Sequence, residues 1–358
     1  MIENNEIDFK ALWKKKCSKY NLDSDLISIF PMVRRIIVIG DLHGSYDIMI
    51  KSLKIAKLID DNHKWTGSDT YVVIVGDQID NCRPSSGQDC NVKGTLINDT
   101  GNDWKILKYL TLLNLSAIQE NGRVISLLGN HEIMNVEGDL RYVSYESIKE
   151  FGTKENRLKL FKPGNDIALF LACTRQVAVI IGKNLFVHAG IVSHIAEKYS
   201  IESINQIMTL FLLDKFNKKS ENKFIYDHIY KQKHIVSKEK QHDIFYNETY
   251  SPLWNRIYGY MGYFYENNDN TIYQNEDELK MICSKHLNVL KNVYHVEKIY
   301  VGHTPMLKNG ITSVCDGKVW LTDYGSSHAF DKYKDPTQLN NISVLEILND
   351  GENITILK

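Results

Sequence analysis

The sequence predicts an α/β fold in which the ends of several buried strands meet at one polar centre. Apolar runs of strand length precede five short motifs, and segments of helical periodicity alternate with these runs. Continuous apolar runs are typical of strands that are covered on both faces of a sheet. The five runs lie at 36–39, 71–75, 124–128, 185–187 and 298–301. Because each motif contains a metal-ligating side chain, the strand ends are expected to build one site on a rigid scaffold.

The first half of the chain is predicted to alternate strictly between strands and helices. Ser45 can N-cap a helix that extends to about Leu58, between the first and second strands. A second helix is predicted over about 103–119, with leucines near one side. Residues 82–101, rich in Gly, Asn and Asp, are expected to form a loop beside the second motif.

The second half of the chain is predicted to contain a long insertion between the fourth and fifth motifs. Residues 191–233 are predicted to be mainly helical, since apolar residues recur there with helical spacing. The whole stretch 191–275 is expected to form a mainly helical insertion and part of the site wall. Another helix is predicted near 276–290, and strands are predicted at 319–321 and 342–348.

The composition argues against several classes of protein. The 358 residues include 43 Lys and Arg and 44 Asp and Glu, so the formal net charge is −1 and no basic stripe favours nucleic acid. The N-terminus lacks the basic and apolar regions of a signal peptide, and no apolar run is long enough to cross a bilayer. We therefore expect a cytoplasmic chain without a membrane partner, folded as a single domain over 1–358.

The six cysteines show no C-x-x-C pairing. In a cytosolic chain of this size they are expected to be reduced thiols. Cys82 and Cys90 are the exception to consider, because they flank a short Pro/Ser/Gly loop and could close a small disulfide.

The motifs together hold enough ligands for two metal ions. Asp41 and His43 are two residues apart, so their side chains point the same way from extended backbone. Asp77 supplies a carboxylate short enough to bridge two ions. Two groups result: Asp41, His43 and Asp77 for one ion, and Asp77, Asn130, His188 and His303 for the other. This mixture of carboxylate and imidazole fits manganese, iron or zinc better than calcium or a dedicated magnesium site, and manganese is the first expectation.

His131 and Asp80 are predicted to form a catalytic pair. His131 directly follows the ligand Asn130, so it can reach the site without joining the metals. A protonated imidazole there could give a proton to a leaving oxygen, while Asp80 would fix its orientation and support its charge.

These motifs resemble the phosphoprotein phosphatase superfamily of metallophosphoesterases. The order G-D-x-H-G, G-D-x-x-D, G-N-H-E, H-A-G and G-H-T covers residues 36–304, about three quarters of the chain. Within that superfamily the sequence is similar above all to the Shewanella-like protein phosphatases. The segments that carry this closer resemblance are 127–142, 186–190, 251–256 and 301–305.

The resemblance implies a four-layer α/β/β/α metallophosphoesterase fold, with a central β-sandwich flanked by helices. It also implies a pair of metal ions and direct attack on phosphorus by a metal-bridging hydroxide. The ligand and acid roles fall on the residues counted above, and Asn130 is expected to contact the substrate phosphate as well. Because members act on phosphotyrosine or on phosphoserine and phosphothreonine, a phosphoprotein or phosphopeptide is the expected partner.

One departure from the family pattern concerns the group that clamps the phosphate. The family usually continues the second motif as G-D-x-x-D-R, but Asn81 stands at that position here. Arg83 lies two residues later and can take over, or Arg256 and Arg141 carry the phosphate without it. Asn cannot replace a bidentate guanidinium, so the departure bears on catalytic strength and substrate choice.

The leading hypothesis is a metal-dependent phosphoprotein phosphatase that hydrolyses phosphomonoesters. One alternative is a small-molecule phosphoesterase, such as a hydrolase similar to diadenosine tetraphosphatases; the segments 138–142 and 251–254 favour the phosphoprotein phosphatase. The other alternative is a phosphatase fold that binds without catalysis. The presence of Asp77, Asp80 and His131 argues against that second alternative.

Overall fold

Two six-stranded mixed sheets lie at the centre of the computed structural model, which describes residues 8–20, 25–215, 247–267, 272–339 and 341–358. One sheet has the strand order β12-β11-β2-β3-β4-β5 and the other β1-β6-β7-β8-β10-β9. In chain order the strands are β1 (Ile29–Phe30), β2 (Arg35–Ile39), β3 (Tyr71–Ile74), β4 (Arg123–Leu127), β5 (Arg175–Gln176), β6 (Ala178–Ile181), β7 (Asn184–Val187), β8 (Lys298–Val301), β9 (Thr312–Val314), β10 (Val319–Leu321), β11 (Val344–Leu348) and β12 (Asn353–Leu357).

Parallel pairing brings the first three motifs to one edge of the first sheet. β2 pairs in parallel with β3, and β3 with β4, with Val38 opposite Val73 and Val73 opposite Ile125. Parallel strands end at the same edge, so the segments 40–44, 76–80 and 129–132 begin side by side. β11 and β12 extend this sheet with antiparallel pairing.

The second sheet presents the other two motifs in the same way. β7 pairs in parallel with β8, and β8 with β10. His188 therefore follows one strand end and His303 follows the neighbouring one. The strand that ends beside them is β10, which leads into residues 322–327.

Alternation along the strands produces four layers. In β2, Ile36 and Val38 pack between the two sheets with Phe186 and Tyr300 of the second sheet. The opposite face of the first sheet packs against helices through a cluster that includes Ile37, Ile39, Val72, Ile74, Met49, Leu53, Ile106 and Leu110. The outer face of the second sheet is covered in the same manner by a further cluster. The four-layer α/β/β/α prediction is confirmed.

Helices of the described residues cover both outer faces. They are α1 (Phe9–Cys17), α2 (Tyr46–Ile55), α3 (Asp103–Ile118), α4 (Asn130–Glu137), α5 (Tyr145–Lys149), α6 (Lys154–Phe161), α7 (Asp166–Thr174), α8 (Ser193–Ala196), α9 (Ile201–Leu212), α10 (Ile257–Asn267) and α11 (Glu276–Tyr294). The helices predicted at 45–58, 103–119 and 276–290 correspond to α2, α3 and α11. Across the described ranges, no helix is both long and apolar enough to span a membrane.

The described residues include part of the predicted insertion at 191–275. α8, α9 and α10 lie within it and support its mainly helical character. Residues 216–246 and 268–271 lie outside the described residues, so the single domain with a helical insertion stays a prediction.

The expectation of reduced thiols is wrong. The six cysteines form three disulfides, Cys17–Cys173, Cys82–Cys90 and Cys283–Cys315. The prediction failed because two of these pairs are distant along the chain, so that only the fold brings their cysteines together. Since disulfides persist mainly in oxidising compartments, they count against the cytoplasmic location, which stays a prediction.

Candidate metal centre

The two sheets bring the five motifs to one place. Two groups of buried side chains there could each hold an ion: His43, Asp77 and His131, and Asp77, His188 and His303. Within each group the candidate ligand atoms all lie within 4.8 Å of one another. Asp77 belongs to both groups, which is the geometry that a bridging carboxylate requires.

The remaining predicted ligands lie beside these groups. Oδ2 of Asp41 is 3.8 Å from Nε2 of His43, and the same nitrogen is 3.8 Å from Oδ2 of Asp77. Oδ1 of Asn130 is 3.0 Å from Nε2 of His188. All six predicted ligands are thus brought together. The first group differs from the prediction in one residue, His131, which the sequence assigned to catalysis. Its Nε2 is 3.9 Å from Oδ2 of Asp77, so His131 also lies within reach of an ion there.

The histidines are oriented by hydrogen bonds to backbone carbonyls. With the proton on Nδ1, His188 donates to the carbonyl of Val75 at 2.8 Å, which leaves Nε2 free and 3.3 Å from Asp77. With the proton on Nε2, His303 donates to the carbonyl of Trp254 at 3.1 Å, which leaves Nδ1 free. Such second bonds fix the tautomer and aim of metal-ligating imidazoles in proteins.

The buried carboxylates of the site, Asp41 and Asp77, favour the binding of cations. Asp41 is buried, and its Oδ1 has no hydrogen-bond partner among the described residues. Burial, and then the nearby Asp323 and Asp77, raise the pKa of Asp41 well above its usual range. Burial also raises the pKa of Asp77, but the imidazoles around it outweigh this and hold that pKa well below its usual range. Buried carboxylates normally pair with cations or metals, so the donor set fits two divalent ions.

The backbone at the strand ends adopts strained conformations. The φ angles of His43, Asp77, Asp80 and His303 are 39°, 42°, 72° and 67°, in the left-handed region that non-glycine residues avoid. Residues held this way cluster at functional sites, where the surrounding structure must over-determine them. Gly129 shows why the third motif needs glycine: an added Cβ would collide with the carboxylate of Asp77.

His131 and Asp80 form the predicted pair. Nδ1 of His131 is 2.8 Å from Oδ2 of Asp80, and both side chains are buried. Asn135 donates to both oxygens of Asp80 at 3.0 Å. The fully buried Arg157 lies 3.6 Å from Asp80, donates to Asn135 at 2.9 Å and to Asp103 at 2.8 Å.

Sequence reasoning missed this supporting network around Asp80. Asn135 carries a local signal, since it lies one helical turn after His131 on α4. Arg157 and Asp103 carry none, because they reach Asp80 from separate helices.

Of the three predicted phosphate-binding arginines, Arg83 lies against two histidines of the site, His43 and His131. Its Nη2 is 2.9 Å and 2.8 Å from the two ring nitrogens of His43, and 3.5 Å from Nε2 of His131. Its Nη1 donates to the carbonyls of Asp80 and Cys82. The guanidinium also lies between the rings of Tyr142 and Phe330, at 5.2 Å and 4.9 Å.

Asn81 turns away from this position. Its amide donates to Asp99 at 3.2 Å, on the loop that follows the second motif. The guanidinium of Arg83 therefore stands near the ligands where the family pattern led us to expect an arginine at position 81.

The other two arginines differ from each other. Arg256 donates to the carbonyl of His303 at 2.8 Å and to the hydroxyl of Thr304 at 3.1 Å, so it is close to the second ion group. Arg141 is paired with Asp139 at 2.7 Å, and its side chain is 69% exposed. The structure places Arg141 on the surface. The ring of Tyr142 lies near both the Arg141 guanidinium, at 5.8 Å, and the His131 ring, at 4.9 Å.

The chain matches one protein family and is similar to several known proteins. The family described as calcineurin-like phosphoesterase matches residues 34–307. An uncharacterised protein of Acanthamoeba polyphaga mimivirus is 32% identical over 270 residues, which cover 68% of this chain and 95% of that protein. Shewanella-like protein phosphatase 2 of Arabidopsis thaliana is 30% identical over 219 residues, or 49% of this chain and 51% of that protein.

A solved structure has a similar fold over almost the whole chain. It is the cold-active protein-tyrosine phosphatase of a psychrophilic Shewanella species, with a TM-score of 0.62 and 20% identity. The alignment covers 93% of this chain and 83% of that one.

Proposed function

We propose that this chain, which belongs to the calcineurin-like phosphoesterase family, removes phosphate from phosphorylated protein side chains. The family and the phosphatases among its relatives make it a phosphatase enzyme of a family that depends on two metal ions. The observation that carries the hydrolytic part of the proposal is the position of Asp77. Its carboxylate belongs to both candidate ion groups and lies beside the His131–Asp80 pair.

Two divalent ions fit the ligands that the motifs bring together. In this proposal Asp41, His43 and Asp77 hold one ion, and Asp77, Asn130, His188 and His303 hold the other. When bound, such ions supply Lewis acidity toward phosphoryl oxygens and lower the pKa of water. The mixture of imidazole and carboxylate supports manganese, with iron or zinc as alternatives.

The His131–Asp80 pair is proposed to serve the leaving oxygen. Because Nδ1 of His131 is engaged by Asp80, a proton on Nε2 is on the side of the ring that faces Asp77, whose Oδ2 is 3.9 Å away. That proton would pass to the side-chain oxygen of the substrate as its bond to phosphorus breaks. Asp80, held by Asn135, keeps the imidazole ring of His131 in place during this step.

Arg83 is proposed as the main contact of the substrate phosphate. Its guanidinium lies against His43 and His131, and a guanidinium suits the oxygens of a phosphate. Asn130 and Arg256 are the further phosphate-binding candidates, since both border the second ion group. Arg141 has the least support as a phosphate-binding residue, because its guanidinium is paired with Asp139 and exposed to solvent.

The substrate class rests on two kinds of support. The Arabidopsis thaliana relative, which aligns with 49% of this chain, is named a protein phosphatase. The rings of Tyr142 and Phe330 lie close to Arg83, so a phosphorylated side chain bound at that guanidinium would have two aromatic rings to contact. Phosphotyrosine and phosphoserine or phosphothreonine are both included in the proposal.

A side-by-side assay tests the proposal. The purified chain, loaded with Mn²⁺, is given a phosphotyrosine peptide, a phosphoserine or phosphothreonine peptide, diadenosine tetraphosphate and p-nitrophenyl phosphate. We expect phosphate release from at least one peptide at a higher kcat/KM than from the dinucleotide. The Asp77→Asn variant is the matched control for contaminating phosphatases.

Two outcomes would replace the proposal. A higher kcat/KM for diadenosine tetraphosphate would make the chain a small-molecule phosphoesterase. No turnover of any compound in the presence of Mn²⁺ would make it a binding module with a phosphatase fold.

A further inference from the structure

Asp323 lies beside the first motif, although none of the five motifs contains it. It follows β10 by two residues, and β10 is the parallel neighbour of β8, which leads to His303. Thr322 continues that pairing, because its backbone N–H donates to the carbonyl of Val301 at 2.7 Å. The ends of two adjacent parallel strands therefore deliver His303 and Asp323 to the same edge.

The same segment packs directly on the first motif. A Cβ added to Gly40 would lie 3.3 Å from Cα of Asp323 and would collide with the carbonyl of Thr322. Two hydroxyls join the segments further along, since Ser326 donates to the carbonyl of Asp41 at 3.3 Å and Ser327 to that of His43 at 3.1 Å. Asp323 is thus held against the strand end that carries Asp41.

The carboxylate of Asp323 is buried and half satisfied. Only 2% of the residue is exposed. Its Oδ1 accepts a hydrogen bond from the backbone N–H of Gly325 at 2.8 Å, while Oδ2 has no partner among the described residues. Oδ1 of Asp41 is buried and unpartnered in the same way. Two neighbouring acids therefore each direct one bare oxygen into the interior.

A purely structural role does not account for this charge. The turn at 323–325 needs only the acceptor Oδ1, which the amide oxygen of Asn would supply without a charge. A buried carboxylate with a bare oxygen costs free energy unless a cation lies near it.

We propose that Asp323 is a further anionic residue of the metal centre, and that its unpartnered Oδ2 strengthens binding of the ion held by Asp41 and His43. Asp323 is a positioning residue in this role and makes no contact with substrate. The inference rests on the proposed function, since it requires that ions bind at these motifs.

The test measures metal affinity and not turnover. Metal-free protein, prepared with a chelator, is titrated with Mn²⁺ in a calorimeter. Asp323→Asn keeps the acceptor for Gly325 and removes the charge. We expect its affinity for one of two ions to fall by about 10–100-fold, the usual loss when a supporting residue around a metal is removed. Its cooperative thermal unfolding in the absence of metal is expected to remain.

Asp316→Asn is the matched control. It makes the same change of charge on an exposed residue at the opposite end of β10, so both affinities should stay at the wild-type value. Asp323→Ser, smaller and still able to accept from Gly325, replaces Asp323→Asn if that variant does not unfold cooperatively.

The outcomes separate this inference from the proposed function. Wild-type affinity for both ions in a folded Asp323 variant overturns the inference and leaves the function intact. Loss of the metal-free fold in both variants overturns it too, because it would show that the carboxylate serves the fold itself. A wild-type chain that binds no Mn²⁺ contradicts the proposed function instead.

Discussion

Asp77 is the residue on which both candidate ion groups depend. Its carboxylate lies 3.3 Å from His188 and 3.8 Å from His43, so it reaches the ligands of either ion. Asp77→Asn removes the shared negative charge and should release nearly all bound Mn²⁺. Elemental analysis of the purified variant checks this, with Asp69→Asn as a control on an exposed carboxylate. Full metal content in Asp77→Asn would contradict the bridging role.

His131 has two assignments that one variant separates. It is engaged with Asp80 as an acid would be, yet it also lies within reach of an ion beside Asp77. For His131→Ala we expect retained Mn²⁺ and a kcat that is lower by roughly 10²–10⁴-fold, the range for general acid catalysis. Elemental analysis and steady-state kinetics on the same preparation decide the matter. Loss of metal along with activity would make His131 a ligand.

Arg83 is expected to govern phosphate affinity in place of the arginine that the family has at position 81. Arg83→Met removes the guanidinium beside His43 and His131 while it keeps an apolar stem between Tyr142 and Phe330. A charged hydrogen bond contributes about 1.5–3 kcal/mol, so the KM should rise roughly 10–100-fold.

Inhibition by inorganic phosphate, measured with the same substrate, gives an independent value for this loss. Arg141→Met is the comparison, because that guanidinium is exposed and paired with Asp139. An equal effect of the two substitutions would remove the special role of Arg83.

At the scale of elements, α3, α4 and α6 are joined by one buried cation beside the His131–Asp80 pair. Arg157 of α6 is not exposed at all and contacts Asp103 of α3 and Asn135 of α4. Breaking a buried ion pair from one side leaves the partner charge uncompensated, which costs about 3–5 kcal/mol. Arg157→Met should lower the free energy of unfolding by about that amount, as measured by urea titration.

The exposed Lys159 on the same helix supplies the control. Lys159→Met should stay within about 0.5 kcal/mol of the wild type, as surface substitutions usually do. If Arg157→Met were equally neutral, the buried network would not hold the three helices together.

The strands were the elements best predicted from the chain. Each of the five apolar runs became a strand with its motif at the end, because a run buried on both faces has few alternative structures. The short helices α5, α6 and α7 were not predicted. They fill the stretch between the third and fourth motifs, where polar residues interrupt the apolar periodicity.

At the scale of the whole molecule, the disulfide Cys17–Cys173 ties the N-terminal helix α1 to α7. It closes a loop with a sequence separation of 156, whereas Cys82–Cys90 spans only 8. If chain entropy dominates, the longer loop stabilises more, by roughly 2–3 kcal/mol on this difference in length.

Thermal unfolding of two double variants measures this difference. Cys17→Ala with Cys173→Ala should lower the Tm more than Cys82→Ala with Cys90→Ala. Equal Tm values for the two would show that these bridges do not act through the length of the loops they close.

The sequence alone was sufficient to bring forward the six candidate ligands and the His131–Asp80 pair, because each of these residues lies in a short motif that follows an apolar run. The four layers were predicted from the family resemblance that the same motifs carry. Folding was required for the choice of Arg83 over Arg141, for the buried Arg157 network and for the place of Asp323. These depend on which segments the two sheets bring into contact, and neighbours in space leave no local pattern when they are far apart along the chain. The same reason explains the cysteines, whose long-range pairs became visible only when α1 met α7 and α11 met the β9–β10 turn.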